Sequence, residues 1–575
     1  MPAMTTDART LATRLAARDD HDLARLFDER KVADGSPWRD FFDAAEALLD
    51  AASIAHALAD LPRPLAAELV RAVQGATPVR GEAAAPLEAL ALIDESGRPY
   101  AAVATALAGA EIAESPSSSP APASPEHAAR AAERAFTTIG ALAETLIACL
   151  HTPLGRIGTG LVGAVDRRRL VDQGVVADPA EVDGLIALAE TAGLLRPSAR
   201  AWMATAAGAA WLREPTAARW ASIARGLRAA LPAGLRTAEG GWLDPAQWPA
   251  AYPLDPAWPA RAAALLDQAR LAGLVADDGG EPPWAAPLRR GEDADASSLQ
   301  ALLPSEVERV YLQNDLTAIA PGPLAPSLDV RLRTMAVRES HAQASTYRFT
   351  ADSIASALTE GETAETLREF LAQLSLTGVP QPLEYLIERT GTRYGLVRVG
   401  VDPASGRTEI TSADGGVTEM LAVDQALRPL GLSREGDGLR SRVARDAVYW
   451  ALADARYPVI AVDETGRPET LHRFRLAPAE AGTDGRPERY ATLVATLRAG
   501  QGADADTAWL GRELDAAVRT RSIVAVVVAL PDGSSREFLL EATGLGGGRL
   551  RGRDKGADVE RTLPVSSIVS VRTVA

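Results

Sequence analysis

The sequence predicts an α+β protein built from several domains. Its 575 residues suggest roughly three to five domains, since one domain commonly holds about 100–200 residues. Apolar residues follow helical spacing up to residue 303, strand and helix patterns mix over 304–500, and the C-terminal end is rich in β-formers. We therefore expect mainly helical, winged-helix-like modules, then mixed α/β modules, and last a small SH3/Sm-like β-barrel.

The first predicted domain, residues 1–113, is a helical or winged-helix-like module. Its leucines recur at helical spacing, as at Leu11, Leu15, Leu23 and Leu26. The stretch 114–129 is predicted to be a linker, because four prolines and five serines fall within residues 114–125. This composition favours a semi-rigid, extended chain over a packed element.

Two winged-helix-like modules are predicted next, at 130–230 and 231–303. In the first, one helix face carries Leu185, Leu188, Ala189 and Ala192. Gly193 suits the end of that helix, and the segment 194–205 could form the hairpin wing. The second module is inferred from a partial repeat, since Ala272-Gly273-Leu274-Val275 follows Ala192-Gly193-Leu194-Leu195. Two such helix ends could also arise by chance in an alanine-rich chain.

Three further domains are predicted in the second half of the chain, at 304–400, 401–500 and 515–575. In the first of them, Thr350 and Thr363 are placed to cap two helices. The second mixes strands and helices, with a clear strand at Val459–Val462. The third holds five short β-rich segments between Ile523 and Val571, which is the pattern of a small barrel.

One stretch resembles a known family. The residues that carry the resemblance are Val310–Leu324, Glu339-Ser340, Tyr347–Thr350, Ser353-Ile354, Ala357-Leu358, Gly361 and Val379–Leu383. They resemble the helicase-associated domain of actinobacterial proteins, which is related to the N-terminal domain of XPB-type repair and transcription helicases. The resemblance implies a DNA-linked role beside a helicase motor, and it brings no catalytic residues.

The C-terminal segment 517–575 looks like the small barrel of WYL domains, which sense nucleic-acid or nucleotide ligands in bacterial regulators. The tripeptide that names that family is absent, and Leu550-Arg551-Gly552 stands roughly where it is expected. The resemblance therefore implies a barrel more strongly than it implies ligand sensing.

No nucleotide-driven motor of standard form is expected in this chain. A phosphate-binding loop ends in a lysine followed by Ser or Thr, whereas the two lysines, Lys31 and Lys555, precede Val32 and Gly556.

Two short sequence motifs resemble nucleotide-binding motifs. Gly158–Gly163 matches G-x-G-x-x-G, but a helix is predicted before it, so a loop is the favoured interpretation. Val459–Glu464 resembles a Walker B strand. However, residues 90–99 show the same pattern, an apolar run followed by Asp-Glu-x-Gly-Arg-Pro, and Asp followed by Gly after a strand favours an ordinary turn.

Composition restricts the remaining classes. The net charge of −16 argues against a uniformly basic nucleic-acid coat, although segment 517–575 holds nine basic and six acidic residues. The six histidines are scattered and the one cysteine, Cys149, lies in an apolar helical stretch, so we expect neither a metal site nor a cofactor. No apolar run is long enough for a membrane span or signal peptide, and we expect a cytoplasmic protein without membrane contacts, with nucleoid association as an option.

Seven arginines are candidate DNA contacts, because cationic side chains neutralise phosphates. They are Arg167, Arg168, Arg169, Arg348, Arg549, Arg551 and Arg553. The first three belong to the predicted winged helix, where the alternative is a solvated helix face. Arg348 could stack on a base or pair with a carboxylate. The last three alternate along a predicted strand and would share one face, as a phosphate-binding stripe or for solubility alone.

Together these features predict a non-enzymatic, DNA-binding accessory protein of helicase-associated type. Its expected partners are DNA and a separate helicase or other protein. The alternative is a protein-interaction scaffold or a ligand-responsive transcriptional regulator that uses the C-terminal barrel, an option that the acidic net charge favours.

Overall fold

The computed structural model describes residues 2–113, 120–341, 344–469, 471, 476–478, 486–501, 505–530 and 534–573. This part of the chain is α+β, with about half of it helical and the strands in four small sheets. Five apolar cores correspond to five structural units, which the following paragraphs take in order.

The first unit, the N-terminal bundle, is helical. Its helices are α1 (Pro2–Ala17), α2 (Asp20–Glu29), α3 (Phe41–Leu48), α4 (Ala51–Ala59), α5 (Arg63–Gly75), α6 (Ala84–Ala89) and α7 (Ala101–Ala106), with a short 3-10 helix at Gly81–Ala83. Asp19, Asp40 and Asp50 cap three of these helices by accepting hydrogen bonds from backbone N–H groups. Leu11, Leu15, Leu23 and Leu26 are all buried, as their spacing predicts.

The second unit, the central helical unit, begins within the predicted linker. Its elements are α8 (Pro125–His151), β1 (Leu154–Gly155), α9 (Ala164–Asp172), α10 (Glu181–Thr191), β2 (Leu195–Ser198), β3 (Ala201–Ala204), α11 (Ala206–Trp211), α12 (Thr216–Ala230), α13 (Trp258–Leu271), α14 (Ala285–Arg289) and α15 (Ser297–Gln300), with 3-10 helices at Ala233–Leu235 and Pro245–Ala250. The three strands form an antiparallel sheet in the order β1-β3-β2.

The predicted linker 114–129 is therefore wrong at its C-terminal end. Ser124 caps α8, and the Ala123 N–H donates to Glu281 at 2.9 Å, so this segment is packed. Residues 114–119 lie outside the described residues.

The predicted second winged-helix-like module at 231–303 is also wrong. This segment is described throughout and contains no strand, only an isolated bridge between Arg236 and Trp242 and another between Pro122 and Glu281. Its apolar side chains belong to the same core as those of 130–230. The two repeated sequence segments share only the way their helices end. Gly193 and Gly273 both adopt a positive φ, +72° and +66°, directly after a helix.

The third unit, the four-stranded unit, contains β4 (Tyr311–Leu312), β5 (Thr317–Ala320), α16 (Pro326–Met335), β6 (Val337–His341), β7 (Ser345–Arg348), α17 (Ala351–Thr359), α18 (Ala364–Leu374) and α19 (Gln381–Arg393). The sheet is antiparallel in the order β4-β5-β7-β6. Thr350 and Thr363 cap α17 and α18 with reciprocal capping boxes, which confirms both predictions.

The fourth unit, the six-stranded unit, contains β8 (Val397–Val401), β9 (Thr408–Ser412), α20 (Gly415–Val423), a 3-10 helix (Gln425–Leu430), β10 (Ser433–Glu435), β11 (Gly438–Ser441), α21 (Arg445–Asp454), β12 (Val459–Val462) and β13 (Pro468–Glu469). The order is β10-β11-β9-β8-β12-β13, and only β8 and β12 are parallel. The unit begins at β8, slightly before the predicted boundary at 401, and it confirms the strand at Val459–Val462.

The chain then returns to the N-terminal bundle through α22 (Arg486–Ala499). Tyr490, Leu493, Val494 and Leu497 join the apolar core of that bundle. The hydroxyl of Tyr490 donates to the Val32 carbonyl at 2.9 Å. The predicted domain 401–500 therefore combines two units, because its last helix completes the first bundle.

The fifth unit, the C-terminal sheet, contains α23 (Ala505–Thr520), β14 (Ile523–Ala529), β15 (Ser535–Gly546), β16 (Arg549–Asp554), β17 (Val559–Pro564), a 3-10 helix (Val565–Ser567) and β18 (Ile568–Thr573). Its order is β17-β16-β15-β14-β18, all antiparallel, and α23 packs against one face. The predicted closed SH3/Sm-like barrel is wrong, since the two end strands β17 and β18 do not pair with each other across the described residues. No helix in the described ranges is long and apolar enough to cross a membrane.

Candidate nucleic-acid interface

The predicted arginine stripe lies on the face of the C-terminal sheet that α23 leaves open. Along β16 the exposed residues are Arg549, Arg551 and Arg553, while Leu550 and Asp554 between and beyond them point into the covered side. The prediction that the three arginines share one face is confirmed.

The three arginines of the stripe differ in their charge environment. Arg553 forms an ion pair with Asp558 at 2.8 Å, which raises its pKa through that hydrogen bond. Arg549 and Arg551 form no ion pair with any described residue. The neighbouring positions on β15 are Gly546 and Gly544, where an added Cβ would meet nothing within 4 Å. Two unpaired guanidinium groups therefore stand beside bare backbone, accessible to an anion.

The arginines of α9 are brought together but are largely neutralised. Arg167 pairs with Asp183 at 2.5 Å and donates to the Val162 carbonyl, and Arg169 pairs with Asp166 at 3.1 Å. Arg168 alone is exposed without an ion pair in the described part of the chain. Of this triplet, one arginine is free to contact phosphate.

The guanidinium group of Arg348 already forms an ion pair. Its guanidinium donates to both carboxylate oxygens of Glu339, at 2.5 and 3.2 Å, across the β6–β7 pair. This contact raises the pKa of Arg348 and corresponds to the carboxylate alternative of the sequence interpretation.

Helix α10 is unsuited to reading DNA bases. It carries Glu181, Asp183 and Glu190 and no basic residue, and its buried face packs with α12 and α13 in one core. A helix that lies in a DNA groove needs cationic or neutral polar side chains towards the phosphates and bases. Helix α9 and the turn between β2 and β3 carry the exposed Arg168 and Arg200 instead.

A further basic group went unnoticed in the sequence. Arg156 and Arg200 are 44 positions apart, but the Arg156 N–H donates to the Arg200 carbonyl at 2.7 Å, where β1 pairs with β3. The exposed apolar residues Ile157, Leu161 and Val165 follow Arg156 within nine positions of the chain. The signal that could have identified them is the pair of aliphatic residues flanking Gly158-Thr159-Gly160.

The two motifs that imitate nucleotide sites are turns. Within Gly158–Gly163 the Gly160 N–H donates to the Ile157 carbonyl and the Gly163 N–H to the Gly155 carbonyl, so these donors are used internally. The carboxylate of Asp463 accepts hydrogen bonds from the backbone of Thr465 and Arg467, as an Asx turn does. Both predictions of loop or turn are confirmed.

A cleft of about 960 Å³ opens between the central helical unit and the next two units. Charged residues of its lining form ion pairs: Arg331 with Glu362, Arg333 with Glu144, and Asp352 with Arg456. Burial raises the pKa of Glu360 in this cleft. The described residues contain no group of three potential metal ligands, and Cys149 is buried in the core of the central helical unit.

The comparison with known families places one part of the chain in a recognised class. Residues 310–436 match the helicase conserved C-terminal domain. The match spans the four-stranded unit and continues through β10 of the six-stranded unit. The match supports a helicase-associated domain in this part of the chain, as the resemblance at residues 310–385 predicted. None of the curated proteins compared with the chain matches it.

Proposed function

We propose that this chain is a non-enzymatic, DNA-binding accessory protein of helicase-associated type. The observation that carries the proposal is the helicase domain match at 310–436 in a chain without a standard phosphate-binding loop. The protein would engage DNA directly, beside a separate helicase that supplies the motor. A relation of this domain to the N-terminal domain of XPB-type helicases is part of the proposal.

Two structural features support DNA contacts within an acidic chain. The helix-strand-helix-helix-strand-strand order from α8 to β3, with its antiparallel sheet, supports a winged-helix assignment for residues 125–204, in which the β1–α9 loop and the β2–β3 hairpin, and not the acidic α10, would contact DNA. The unpaired Arg549 and Arg551 supply a local phosphate-binding face on the C-terminal sheet. Local cations of this kind bind phosphate in spite of a net charge of −16, because salt screens distant charges beyond about 10 Å.

DNA binding measured across a salt series tests the proposal. The purified chain is mixed with labelled single-stranded, duplex and forked DNA, and the affinity is followed by fluorescence anisotropy from low to physiological salt. Phosphate contacts release counterions, so the logarithm of the affinity should fall steeply with the logarithm of the salt concentration. Absence of salt-dependent binding to all three DNA forms would contradict the proposal.

The second candidate is a protein-interaction scaffold or a ligand-responsive transcriptional regulator that uses the C-terminal sheet. The acidic and packed α10 favours it, since that helix cannot serve as a recognition helix for DNA. Recovery of one stoichiometric protein partner, with no DNA retained at low salt, would support this candidate over the first.

A further inference from the structure

The loop between β1 and α9 forms a small projecting hairpin with apolar side chains. Arg156 and Val162 pair as an isolated bridge, and the Ile157 N–H donates to the Leu161 carbonyl at 3.0 Å. Gly160 closes the turn with φ +91°, a value that L side chains rarely adopt. The hairpin thus holds Ile157 and Leu161 on the two sides of its tip.

These apolar side chains are exposed in the folded chain. Ile157 is 48% exposed and Leu161 43%, and Val165 in the first turn of α9 is 79% exposed. Single exposed apolar residues are common, but three within nine positions around one tip form a patch whose exposure to water is unfavourable in free energy. Contact with an apolar surface of a partner would recover it.

Three arginines without a carboxylate partner surround this tip. Arg156 lies beneath it, with its guanidinium beside Gly160 and 5.8 Å from the Trp202 ring centre. Arg200, at the turn between β2 and β3, accepts a backbone hydrogen bond from Arg156. Arg168 lies three positions after Val165, close to one turn further along α9. None of the three forms an ion pair with a residue that the structure describes. Their charge is complementary to a polyanion.

We propose that this hairpin tip binds the end of a DNA duplex at a single-strand to double-strand junction. The last base pair there presents a flat apolar face that no neighbour covers, so Ile157 and Leu161 can stack on it. Insertion inside a continuous duplex would first cost unstacking of a base step. The arginines would then bind the phosphates of the two separating strands. This inference rests on the proposed function and specifies its DNA structure.

The test compares a forked DNA with a blunt duplex and a single strand of equal length, using the full chain. The tip variant carries Ile157→Ser and Leu161→Ser, and its matched control carries Leu302→Ser and Leu376→Ser, two leucines of similar exposure, 52% and 49%, elsewhere. We expect the tip variant to bind the fork about five- to tenfold more weakly, from loss of partial apolar burial. Its affinity for single strands and its salt slope should match those of the control.

A second readout separates stacking from a structural effect. With 2-aminopurine in the last base pair of the fork, the wild-type chain should change its fluorescence, and the tip variant should not. A further variant with Arg168→Gln and Arg200→Gln should lower the salt slope by about two, because two phosphate contacts are lost.

The outcomes distinguish the two proposals. If the wild-type chain binds DNA but binds fork and blunt duplex alike, or if the tip variant retains the fork affinity and fluorescence change, the junction proposal is overturned and DNA binding stands. If no DNA form binds with salt dependence, both proposals are overturned together.

Discussion

The carboxylate of Glu144 in α8 accepts a hydrogen bond from each terminal nitrogen of Arg333 in α16, both at 2.7 Å. The same carboxylate accepts from Arg338 at 2.8 Å. Burial alone would lower the pKa of Arg333, but the hydrogen bonds and charge of Glu144 raise it above its ordinary value. This contact joins the central helical unit to the helicase-associated domain, so it fixes the domain relative to the candidate DNA-binding loop.

Removal of the Glu144 charge should destabilise the contact between the central helical unit and the four-stranded unit. The three side chains are only 18–21% exposed, and Glu144→Gln leaves the two partly buried guanidinium groups with only the more distant carboxylate of Asp329, at 3.6 and 3.9 Å. We expect a loss of about 3 kcal/mol in the free energy of unfolding, measured by urea denaturation. As a control, Glu126→Gln on the same helix breaks an exposed pair with Arg130 and should cost less than about 0.5 kcal/mol. Equal effects of the two variants would contradict the structural role of Glu144.

The two repeated helix ends should tolerate alanine differently. Gly193 and Gly273 share a positive φ, but a Cβ at Gly193 meets nothing within 4 Å, whereas one at Gly273 would lie 2.6 Å from the Ala131 carbonyl oxygen. Gly193→Ala should therefore cost only the backbone strain, about 1 kcal/mol. Gly273→Ala adds a steric clash and should cost about 3 kcal/mol in all. Thermal unfolding of both variants measures the difference, and a larger cost at Gly193 would refute the packing explanation.

The unfolding free energy should depend on pH through Cys149. Burial raises the pKa of its thiol from 9.0 to about 11. Because the folded-state value lies above that of the unfolded chain, the stability from the neutral thiol is complete below pH 9 and is lost as the pH rises towards 11. Cys149→Ala should flatten the decline in this window relative to the wild type. A native thiol that reacts with a disulfide reagent at pH 8 as fast as the urea-unfolded chain would contradict this burial.

Local signals in the sequence predicted local structure well. Thr363 caps α18, and the spacing of Leu367, Phe370, Leu371 and Leu374 gives its buried face. Gly193 ends α10, and the alternation of arginines along β16 gives one exposed face. Each of these features depends on residues within about two helical turns or one strand, so the sequence pattern contains the necessary information.

Long-range pairing escaped the sequence interpretation. The apolar face of α22 could have packed on any unit, and only the fold shows that Tyr490 completes a bundle more than 450 positions earlier, at Val32. Closure of the C-terminal barrel required β17 and β18 to pair, which strand propensity alone does not determine. Likewise, the partners of Arg167 and Arg348 are specific carboxylates that a charge count cannot identify.

The arginine stripe gives the sharpest test of where phosphate is bound. Arg549 and Arg551 carry no ion pair among the described residues, whereas Arg553 on the same face is paired with Asp558. Arg549→Gln with Arg551→Gln should reduce the slope of the logarithm of DNA affinity against the logarithm of salt concentration by about two.

The matched control for that experiment is the single variant Arg553→Gln. The pair of Arg553 with Asp558 is exposed and already neutral. Removal of Arg553 should therefore change the salt slope by less than the loss of one phosphate contact would. All three substitutions remove a charge at an exposed strand position, and the core residues Leu550 and Leu540 beneath them are untouched. An unchanged slope in the double variant would contradict phosphate binding by this face of the C-terminal sheet.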